Sequence, residues 1–423
     1  MVDKIIAVKG THDILADKMP LWQQLEAKLR QLTLQYAYQE IRTPVFENTQ
    51  LFKRSIGALT DIVDKEMFKV ASKNSTDDWS LRPEGTASVV RACLEHALLR
   101  HGQVQKFWYQ GPMFRYERPQ KGRFRQFHQF GLEVYNVATI GAELEIIEFM
   151  HNLWQQLKVS SAVRLQINSL GNTCSRLAYK KALTTYLEAN FSKLDADSQR
   201  RLTSNPLRVL DSKDPNTQQL LQQAPSILDY LDSAANQEFA HLQDQLMQMQ
   251  IPFEVNDKLV RGLDYYNSCV FEWVTNSLGA QNSVCGGGRY DTLAASLDAE
   301  NIPACGCAVG IERLLLLMEQ TGATEPAPLD AYLICTGQAL LNIGHLSAKI
   351  RKLVPNIKMY TAINTASFKA QFKKADKSGA KLALIIGDDE YATNTVSVKY
   401  LRHTAEQINI NIDAIGSIFK EIL

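Results

Sequence analysis

The chain has 423 residues, of which 45% are hydrophobic and 22% are charged. This composition is typical of a globular protein and excludes a disordered or fibrous chain, and the length predicts roughly two to four domains of about 150 residues each. The net charge of +1 gives no sign of a polyanionic partner, so any surface that binds nucleic acid would have to be a local patch.

Targeting segments and metal-binding cysteine pairs are both missing from the sequence. The N-terminal stretch MVDKIIAVKG lacks the apolar core of a signal peptide, and no apolar run approaches the roughly 20 residues that span a bilayer. The seven cysteines form no CxxC pair, and Cys305 and Cys307 are too close together for the usual half of a zinc site. We therefore expect a cytoplasmic protein with reduced thiols, no membrane contact and no metal site of its own.

The first third of the chain contains two predicted helices with a short strand between them. Leucines and Tyr36 at three- and four-residue steps predict a helix over 19–38. Pro44, in the short stretch IRTPVFE, fits an edge strand or the start of a strand. A second helix is expected within 80–101, after LRPEGTA, with Thr86 as its cap.

Residues 106–135 contain two alternating segments, FWYQGPMFR and RQFHQFGLEVY, on either side of the polar loop YERPQKGRF. The spacing predicts an antiparallel hairpin, in which every second side chain of a strand points to the same face. Arg115 lies at the end of the outgoing strand. Its guanidinium would share one face of the hairpin with an aromatic ring, an amide and a carboxylate from the returning strand. A ligand-binding face and an ordinary solvent-facing sheet both fit this pattern. The residues of this face are Phe127, Gln129, Gly131, Glu133 and Tyr135.

The loop of this hairpin carries four cationic side chains, Arg118, Lys121, Arg123 and Arg125. Guanidinium groups suit phosphate oxygens because their planar forks form bidentate, charge-assisted hydrogen bonds. A solubilising hairpin tip would have the same composition. Phosphate binding and simple solubility therefore both remain open for this loop.

The segment after the hairpin changes from strand to helix patterns. A helix is predicted over 140–158 and a strand over 162–168. The pattern from 171 to 250 is helical and polar, and we interpret 171–225 as an inserted helical module. Strand patterns return after the insertion.

The last third begins with strands predicted at 259–275 and 282–290, and PACGCAVGIERLLLLMEQ predicts a strand that passes into a helix. TGATEPAPLD (321–330) is rich in proline, alanine and glycine and is the clearest linker. Beyond it, short strand and helix patterns alternate. This alternation predicts a small, mainly parallel α/β domain.

Several of these segments together resemble the histidyl-tRNA synthetases, a family of class II aminoacyl-tRNA synthetases. FWYQGPMFRYERPQKGRFRQFHQFGLEVY is similar to motif 2 of that class, AVGIERLLLL (308–317) to motif 3, and the region around Pro44 to motif 1. LVRGLDYYNSCVFEW (259–273) and VCGGGRYDTL (284–293) match signatures of the histidine family itself. The resemblance extends from about residue 4 to 325 and continues weakly beyond.

The resemblance implies an α+β fold in which a class II antiparallel sheet is flanked by helices. Residues 1–325 would form the catalytic domain, with the helical insertion at about 171–225. Residues 326–423 would form a small anticodon-binding α/β domain. Motif 1 would form the contact of a homodimer.

The resemblance also implies a reaction and its partners. The chain would activate histidine with ATP and transfer it to the 3′ end of tRNA(His). ATP would be a substrate that carries its own Mg²⁺, and no tightly bound cofactor is implied.

For ATP, the resemblance assigns one role to each of five residues. Arg115 of motif 2 would hold the α-phosphate, and Arg123 and Arg313 would grip the γ-phosphate. Phe127 would stack on adenine, and Glu117 would bind near the amino edge of that base.

For histidine, the resemblance assigns a second group of residues. Glu84, Thr86 and Gln129 would take the α-amino group. Glu133 and Tyr266 would bracket the imidazole, and a carboxylate with a phenol suits a ring that offers one donor and one acceptor when neutral. The implied set of histidine ligands is Glu84, Thr86, Gln129, Glu133, Arg261, Tyr265 and Tyr266.

Arg261 would lie between the histidine carboxylate and the α-phosphate, so Arg261 and Arg115 are the implied catalytic residues. Strict strand alternation puts Arg261 and Tyr266 on opposite faces, so we expect a turn at Gly262. Cys307 departs from the family, which usually has a large aromatic residue at that point of motif 3.

For tRNA, the candidate contacts are Arg118 and Gln120 in the hairpin loop and Lys369 and Lys373 in the C-terminal domain. The lysines lie in the helical segment ASFKAQFKKADKSG, in which Phe368, Phe372 and Ala375 are expected to form the buried face. A solvated helix face is the alternative interpretation of these lysines.

A catalytically silent relative is the main alternative function. The regulatory subunit of bacterial ATP phosphoribosyltransferase shares the catalytic core and binds histidine, but it lacks the anticodon-binding domain. Arg115, Arg261, Arg313 and the C-terminal residues 326–423 favour the synthetase.

Overall fold

The structure is a computed structural model that describes residues 4–420 except 58, 59, 72, 74, 75, 101, 279–281, 323–328 and 364–366. Contacts between Cα atoms divide the chain into two compact units, Met1–Thr324 and Glu325–Leu423. Most of the linker predicted at 321–330 lies outside the described residues. Among the helices of the described part, none is long and apolar enough to span a membrane.

The strands of the larger unit form two sheets. They are β1 (Gln39–Glu40), β2 (Phe46–Asn48), β3 (Lys69–Val70), β4 (Trp79–Leu81), β5 (Gln105–Phe114), β6 (Gln126–Tyr135), β7 (Arg164–Ser169), β8 (Phe253–Val255), β9 (Asn267–Val274), β10 (Ser283–Arg289) and β11 (Ala304–Gly310). Eight of them form one sheet in the order β1-β5-β6-β11-β10-β9-β7-β8. Neighbouring strands run antiparallel from β5 through β7, and the edge pairs β1/β5 and β7/β8 are parallel. The predicted antiparallel sheet is therefore confirmed at its centre.

One face of this sheet is covered by α1, α4 and α10, which pack with it into an apolar core. The predicted helices at 19–38 and 140–158 and the strand-to-helix passage after 303 are confirmed. The helices of the larger unit are α1 (Met19–Gln35), α2 (Thr49–Ile56), α3 (Thr86–Glu95), α4 (Gly141–Gln156), α5 (Thr173–Ala189), α6 (Ala196–Ser204), α7 (Pro215–Leu221), α8 (Ser233–Gln248), α9 (Leu293–Ser296) and α10 (Ile311–Gln320).

The two faces of β6 differ as the alternation predicts. Phe130, Leu132 and Val134 are buried in the core beneath the helices. Phe127 and Gln129 line a cavity on the opposite face. The hairpin β5–β6 thus separates an apolar face from a polar one, and the polar face positions the site.

The start of α3 differs from the prediction that Thr86 caps it. Thr86 is the first residue of the helix, and the Glu84 carboxylate accepts hydrogen bonds from the backbone N–H groups of Thr86 at 2.7 Å and Ala87 at 2.8 Å. A carboxylate satisfies these otherwise unpaired N–H groups and interacts favourably with the helix dipole. The Thr86 hydroxyl therefore does not cap the helix and can donate a hydrogen bond to Glu133.

The chain between β7 and β8 is helical, with α5 to α8 and the 3₁₀ turn Pro206–Asp211. The strand predicted from 259 begins only at Asn267, and residues 259–266 are irregular. Tyr265 and Tyr266 line the same cavity although they are adjacent, and adjacent residues of a strand would face opposite ways. Burial of both rings on one side therefore excludes a strand here, and the expected break after Arg261 is confirmed.

A buried ion pair joins β10 to α4. The Arg289 guanidinium, whose side chain is 3% exposed, binds both carboxylate oxygens of Glu143, at 2.7 and 2.6 Å. Its remaining hydrogen bonds go to the carbonyls of Val137 and Thr139 and to the Asp291 carboxylate. The arginine of the GGGRYD segment therefore fixes the packing of the fold and does not face the cavity.

The smaller unit has a five-stranded sheet in the order β13-β12-β14-β15-β16. Its strands are β12 (Ala331–Cys335), β13 (Met359–Thr361), β14 (Leu382–Ile386), β15 (Thr395–Tyr400) and β16 (Ile408–Asn411), and its helices are α11 (Gly337–Leu341), α12 (Ile343–Leu353), α13 (Phe368–Lys377), α14 (Asp388–Ala392) and α15 (Gly416–Lys420).

The prediction of a mainly parallel sheet is wrong for this unit. β12 is parallel to β13 and β14, whereas β14/β15 and β15/β16 are antiparallel. The connection from β14 to β15 contains only the short α14, and a parallel crossover needs a dozen or more residues. The expected burial of Phe368 on α13 is also wrong, because its side chain is 45% exposed.

Candidate active site

A cavity of about 240 Å³ lies on the polar face of the large sheet. Its walls come from the hairpin β5–β6, the start of α3, the loop 261–266, β10 and the start of α10. Nearly all residues predicted to bind histidine or ATP meet here, although they are far apart in the sequence. Those that line the cavity are Glu84, Thr86, Arg115, Glu117, Arg123, Phe127, Gln129, Arg261, Tyr265, Tyr266 and Arg313.

Glu133 lies beneath the cavity and does not line it. Its side chain is fully buried, and its carboxylate accepts hydrogen bonds from the Thr86 hydroxyl at 2.7 Å and from the Tyr290 phenol. Burial raises the pKa of Glu133 to about 8, against the hydrogen bonds from Tyr290 and Thr86, which lower it. Glu133 therefore reaches the cavity through Thr86, and Tyr290 is a partner to which the sequence analysis assigned no role.

Glycine at position 306 makes room for Glu133. A Cβ atom on Gly306 would lie 1.8 Å from Oε2 of Glu133. Gly306 faces Glu133 across the β6–β11 ladder, so the carboxylate occupies the space that a side chain of the next strand would fill.

Arg261 is held at the cavity by Glu272 of β9, whose carboxylate accepts a hydrogen bond from Nη1 of the guanidinium. Burial opposes the charge of Arg261, but Glu272 and Tyr266 raise its pKa above the ordinary value. A Cβ atom on Gly286 would lie 1.9 Å from Nη2 of Arg261. The guanidinium of Arg261 therefore occupies the space that a side chain at position 286 would fill. Glu272 was not predicted as part of the site, although a lone carboxylate in the apolar stretch VFEWV was a usable signal.

Three further guanidinium groups line the cavity. Arg115 lies over the Phe127 ring at 5.3 Å from its centroid, and its Nε donates to the Pro83 carbonyl at 2.9 Å. The Arg123 Nε is 2.9 Å from a carboxylate oxygen of Glu117. Arg313 donates to the Ser283 carbonyl at 2.6 Å.

These cations are incompletely neutralised. Burial lowers the pKa of Arg313, and the positive charges of Arg123 and Arg115 lower it further, while Glu117 opposes them. Like charges held close together in a partly buried site favour the binding of a polyanion, which relieves their repulsion. The arrangement can therefore bind a chain of phosphates.

Hydrogen-bond acceptors also line the cavity. Burial raises the pKa of Glu84, against the hydrogen bonds from Ala87 and Thr86, and the Tyr265 hydroxyl lies 3.5 Å from its Oε2. Oε1 of Gln129 is buried and has no hydrogen-bond partner among the described residues. A buried acceptor without a donor carries a free-energy cost that a bound ammonium or N–H group would remove.

The residues predicted to contact tRNA do not line this cavity. Arg118 and Gln120 are exposed in the hairpin loop, and Lys369 and Lys373 are exposed on α13 of the smaller unit. Within the described part of the chain, no group of three or more histidine, cysteine, aspartate or glutamate side chains could hold a metal ion.

The chain is similar to known protein families in both of its units. Residues 10–314 match the family model of histidyl-tRNA synthetase. The chain belongs to the histidyl-tRNA synthetase family. Residues 341–422 separately match the model of an anticodon binding domain.

Solved structures of this family are similar over the full length. The chain is 33% identical to the apo histidyl-tRNA synthetase of S. aureus, with a TM-score of 0.80, and the match covers 99% of this chain and 100% of that one. The histidyl-tRNA synthetase of Nostoc sp. PCC 7120 is 17% identical with a TM-score of 0.71, covering 99% and 100%. A Bacillus halodurans protein described as ATP phosphoribosyltransferase regulatory subunit/histidyl-tRNA synthetase is 20% identical with a TM-score of 0.62, covering 91% and 97%.

Cys307, the departure from the usual histidyl-tRNA synthetase motif 3, points away from the cavity. Its side chain is 2% exposed and belongs to the core beneath the helices, with Val309 of the same strand. Ala308 and Gly310, which alternate with it, line the cavity. The small residue therefore changes the packing behind the sheet, and the lining of the site is unaffected.

The raised pKa of Glu133 predicts a pH dependence of stability. Between pH 4.5 and about 8 the folded chain holds a proton that the unfolded chain has released. The free energy of unfolding of the wild type should therefore fall, relative to Glu133→Gln, by up to about 1.4 kcal/mol per pH unit as pH rises through this window. Urea unfolding at several pH values measures this difference, and tryptophan fluorescence reports the larger unit alone because all five tryptophans lie in it. Parallel stability curves for the two proteins would contradict the assigned protonation.

Proposed function

We propose that the chain is a histidine–tRNA ligase, which activates histidine with ATP to histidyl-adenylate and pyrophosphate and then transfers histidine to tRNA(His). The proposal rests on one observation. A single cavity is lined by four arginines and by polar side chains that lie above the buried carboxyl group of Glu133. The arginines are Arg115, Arg123, Arg261 and Arg313. The family of the chain supports the same reaction.

Histidine would bind at the acceptor-rich end of the cavity. Its ammonium group would supply the donor that Oε1 of Gln129 lacks, with Glu84 and Thr86 beside it. Tyr266 would contact the imidazole, and Glu133 would hold the Thr86 hydroxyl in place beneath the bound amino acid. An amino acid without the imidazole would leave the Tyr266 phenol without this partner, and the loss of such a polar contact discriminates between substrates.

ATP would bind at the cationic end. Arg115 would hold the α-phosphate, Arg123 and Arg313 the γ-phosphate, and Phe127 would stack on adenine with Glu117 near its amino edge. Mg²⁺ would arrive with ATP. The pairing of Glu117 with Arg123 at 2.9 Å would have to loosen for both to take these roles.

The reaction would need alignment and charge stabilisation rather than a covalent intermediate on the protein. A carboxylate oxygen of histidine attacks the α-phosphorus, and the bond from that phosphorus to the pyrophosphate oxygen breaks. Negative charge accumulates around the α-phosphate between two anionic reactants, and fixed cations lower the cost of that charge. Arg261 and Arg115 would be those cations.

The transfer step and the assembly complete the proposal. Residues 341–422 would bind the anticodon, since they match an anticodon binding domain, and Arg118, Gln120, Lys369 and Lys373 are candidate phosphate contacts. We also propose a cytoplasmic homodimer. Val45 and Phe46, beside Pro44, are 39% and 47% exposed, as expected for side chains that a second subunit covers.

A regulatory protein without activity is the second candidate, because one similar structure is described under both names. Two observations favour the ligase. Arg115, Arg261 and Arg313 all line the cavity, and residues 341–422 match an anticodon binding domain.

The proposed activity predicts ATP–pyrophosphate exchange that depends on histidine and on no other standard amino acid. Exchange of labelled pyrophosphate into ATP, measured with each amino acid in turn, tests this specificity. Histidine binding without exchange would identify the regulatory protein. Exchange with a different amino acid would overturn the assigned specificity.

Arg261→Ala should reduce histidine-dependent exchange by about 10²–10³-fold, because it removes a fixed charge beside the reacting phosphate. Arg164→Ala is a matched control, since Arg164 is exposed on β7 and hydrogen bonds to Asn276. The control should retain wild-type exchange. Near-normal exchange in Arg261→Ala would exclude the assigned role.

A further inference from the structure

The helical insertion packs against the loop 261–266, which carries Tyr265 and Tyr266 of the site. This loop has no place in the strand ladders, because β9 begins at Asn267. Its position must therefore be set by contacts outside the sheet. The insertion supplies such contacts on both sides of Tyr265.

The first contact is made by Arg176 of α5. Its Nη1 donates to the carbonyl of Tyr266 at 2.8 Å. Burial lowers the pKa of Arg176, and the nearby Asp264 carboxylate opposes that effect. A hydrogen bond from a charged donor is about twice as strong as a neutral one, so Arg176 is a firm anchor for the C-terminal end of the loop.

The second contact is made by Asp264. Its carboxylate accepts from Arg208 Nη2 at 3.2 Å and from Asn205 Nδ2 at 3.3 Å, and its backbone N–H donates to the Ile56 carbonyl at 3.1 Å. Gly57, at a φ of +102°, leaves space where a Cβ atom would lie 2.6 Å from Oδ2 of Asp264. The insertion and the end of α2 thus hold Asp264 between them.

The two anchors bracket the tyrosine pair. The rings of Tyr265 and Tyr266 lie 4.6 Å apart, and the Tyr265 hydroxyl reaches toward Glu84. Movement of the loop would carry both rings away from the histidine pocket. Arg261, at the start of the loop, is held separately by Glu272 of β9. The residues assigned to ATP on β6, its loop and α10 would also stay in place.

We propose that Arg176 and Arg208 are positioning residues for the amino-acid substrate, through which the helical insertion sets the affinity for histidine. This inference rests on the proposed function in one respect, namely that the bound amino acid is histidine. The insertion would act from outside the cavity, through the loop that carries Tyr265 and Tyr266.

Arg176→Met and Arg208→Met test this inference in the full-length chain. Each variant should bind histidine about tenfold more weakly, the loss expected for one charge-assisted hydrogen bond. ATP binding should be unchanged. Arg200→Met is the matched control, because Arg200 lies on α6 of the same insertion and pairs with Asp197 of its own helix. Calorimetric titration with histidine and, separately, with ATP gives both affinities.

Arg176→Lys should recover part of the histidine affinity, since it restores a charged donor. Unchanged histidine affinity in both methionine variants would overturn the inference and leave the proposed function standing. Equal weakening of histidine and ATP binding would also overturn it, because that result indicates general destabilisation. Wild-type protein that fails to bind histidine would overturn the proposed function and this inference with it.

Discussion

The side chains of Arg261 and Glu133 reach the centre of the large sheet because two positions on neighbouring strands are glycines. Gly286 leaves the space that the Arg261 guanidinium occupies, and Gly306 leaves the space that the Glu133 carboxylate occupies. A methyl group would lie within 2 Å of a guanidinium nitrogen at the first place and of a carboxyl oxygen at the second, so Arg261 or Glu133 would be displaced. The hydrogen bonds from Thr86 and Tyr290, and the pairing of Arg261 with Glu272, all depend on this missing bulk.

Burial within one cavity shifts the pKa values of its arginine and glutamate side chains in opposite directions. At the cationic end, burial and neighbouring arginines lower the pKa of Arg313. At the other end, burial raises the pKa of Glu84 and of Glu133. Each end therefore favours a ligand of opposite charge, an anionic phosphate chain at the first and a cationic or hydrogen-bond-donating amino acid at the second.

The sequence predicted the hairpin, its two faces and the break after Arg261, because strand alternation is a local property. It did not predict contacts that depend on long-range pairing. Glu272 and Tyr290 acquire their roles only when β9 and β10 pair side by side, and Arg289 binds Glu143 across 146 residues. The direction of β15 in the smaller unit depends on the short connection between β14 and β15. The alternation of helix and strand patterns alone does not determine that direction.

The central claim is that this cavity joins histidine to the α-phosphate of ATP. A single-turnover reaction tests it most directly, with protein in excess over ATP labelled at the α-phosphate, in the presence of histidine and pyrophosphatase and without tRNA. Chromatography of the quenched mixture separates ATP, AMP and histidyl-adenylate. The account predicts that most of the label appears as histidyl-adenylate retained by the protein. Label that stays in ATP while both substrates are bound would contradict it.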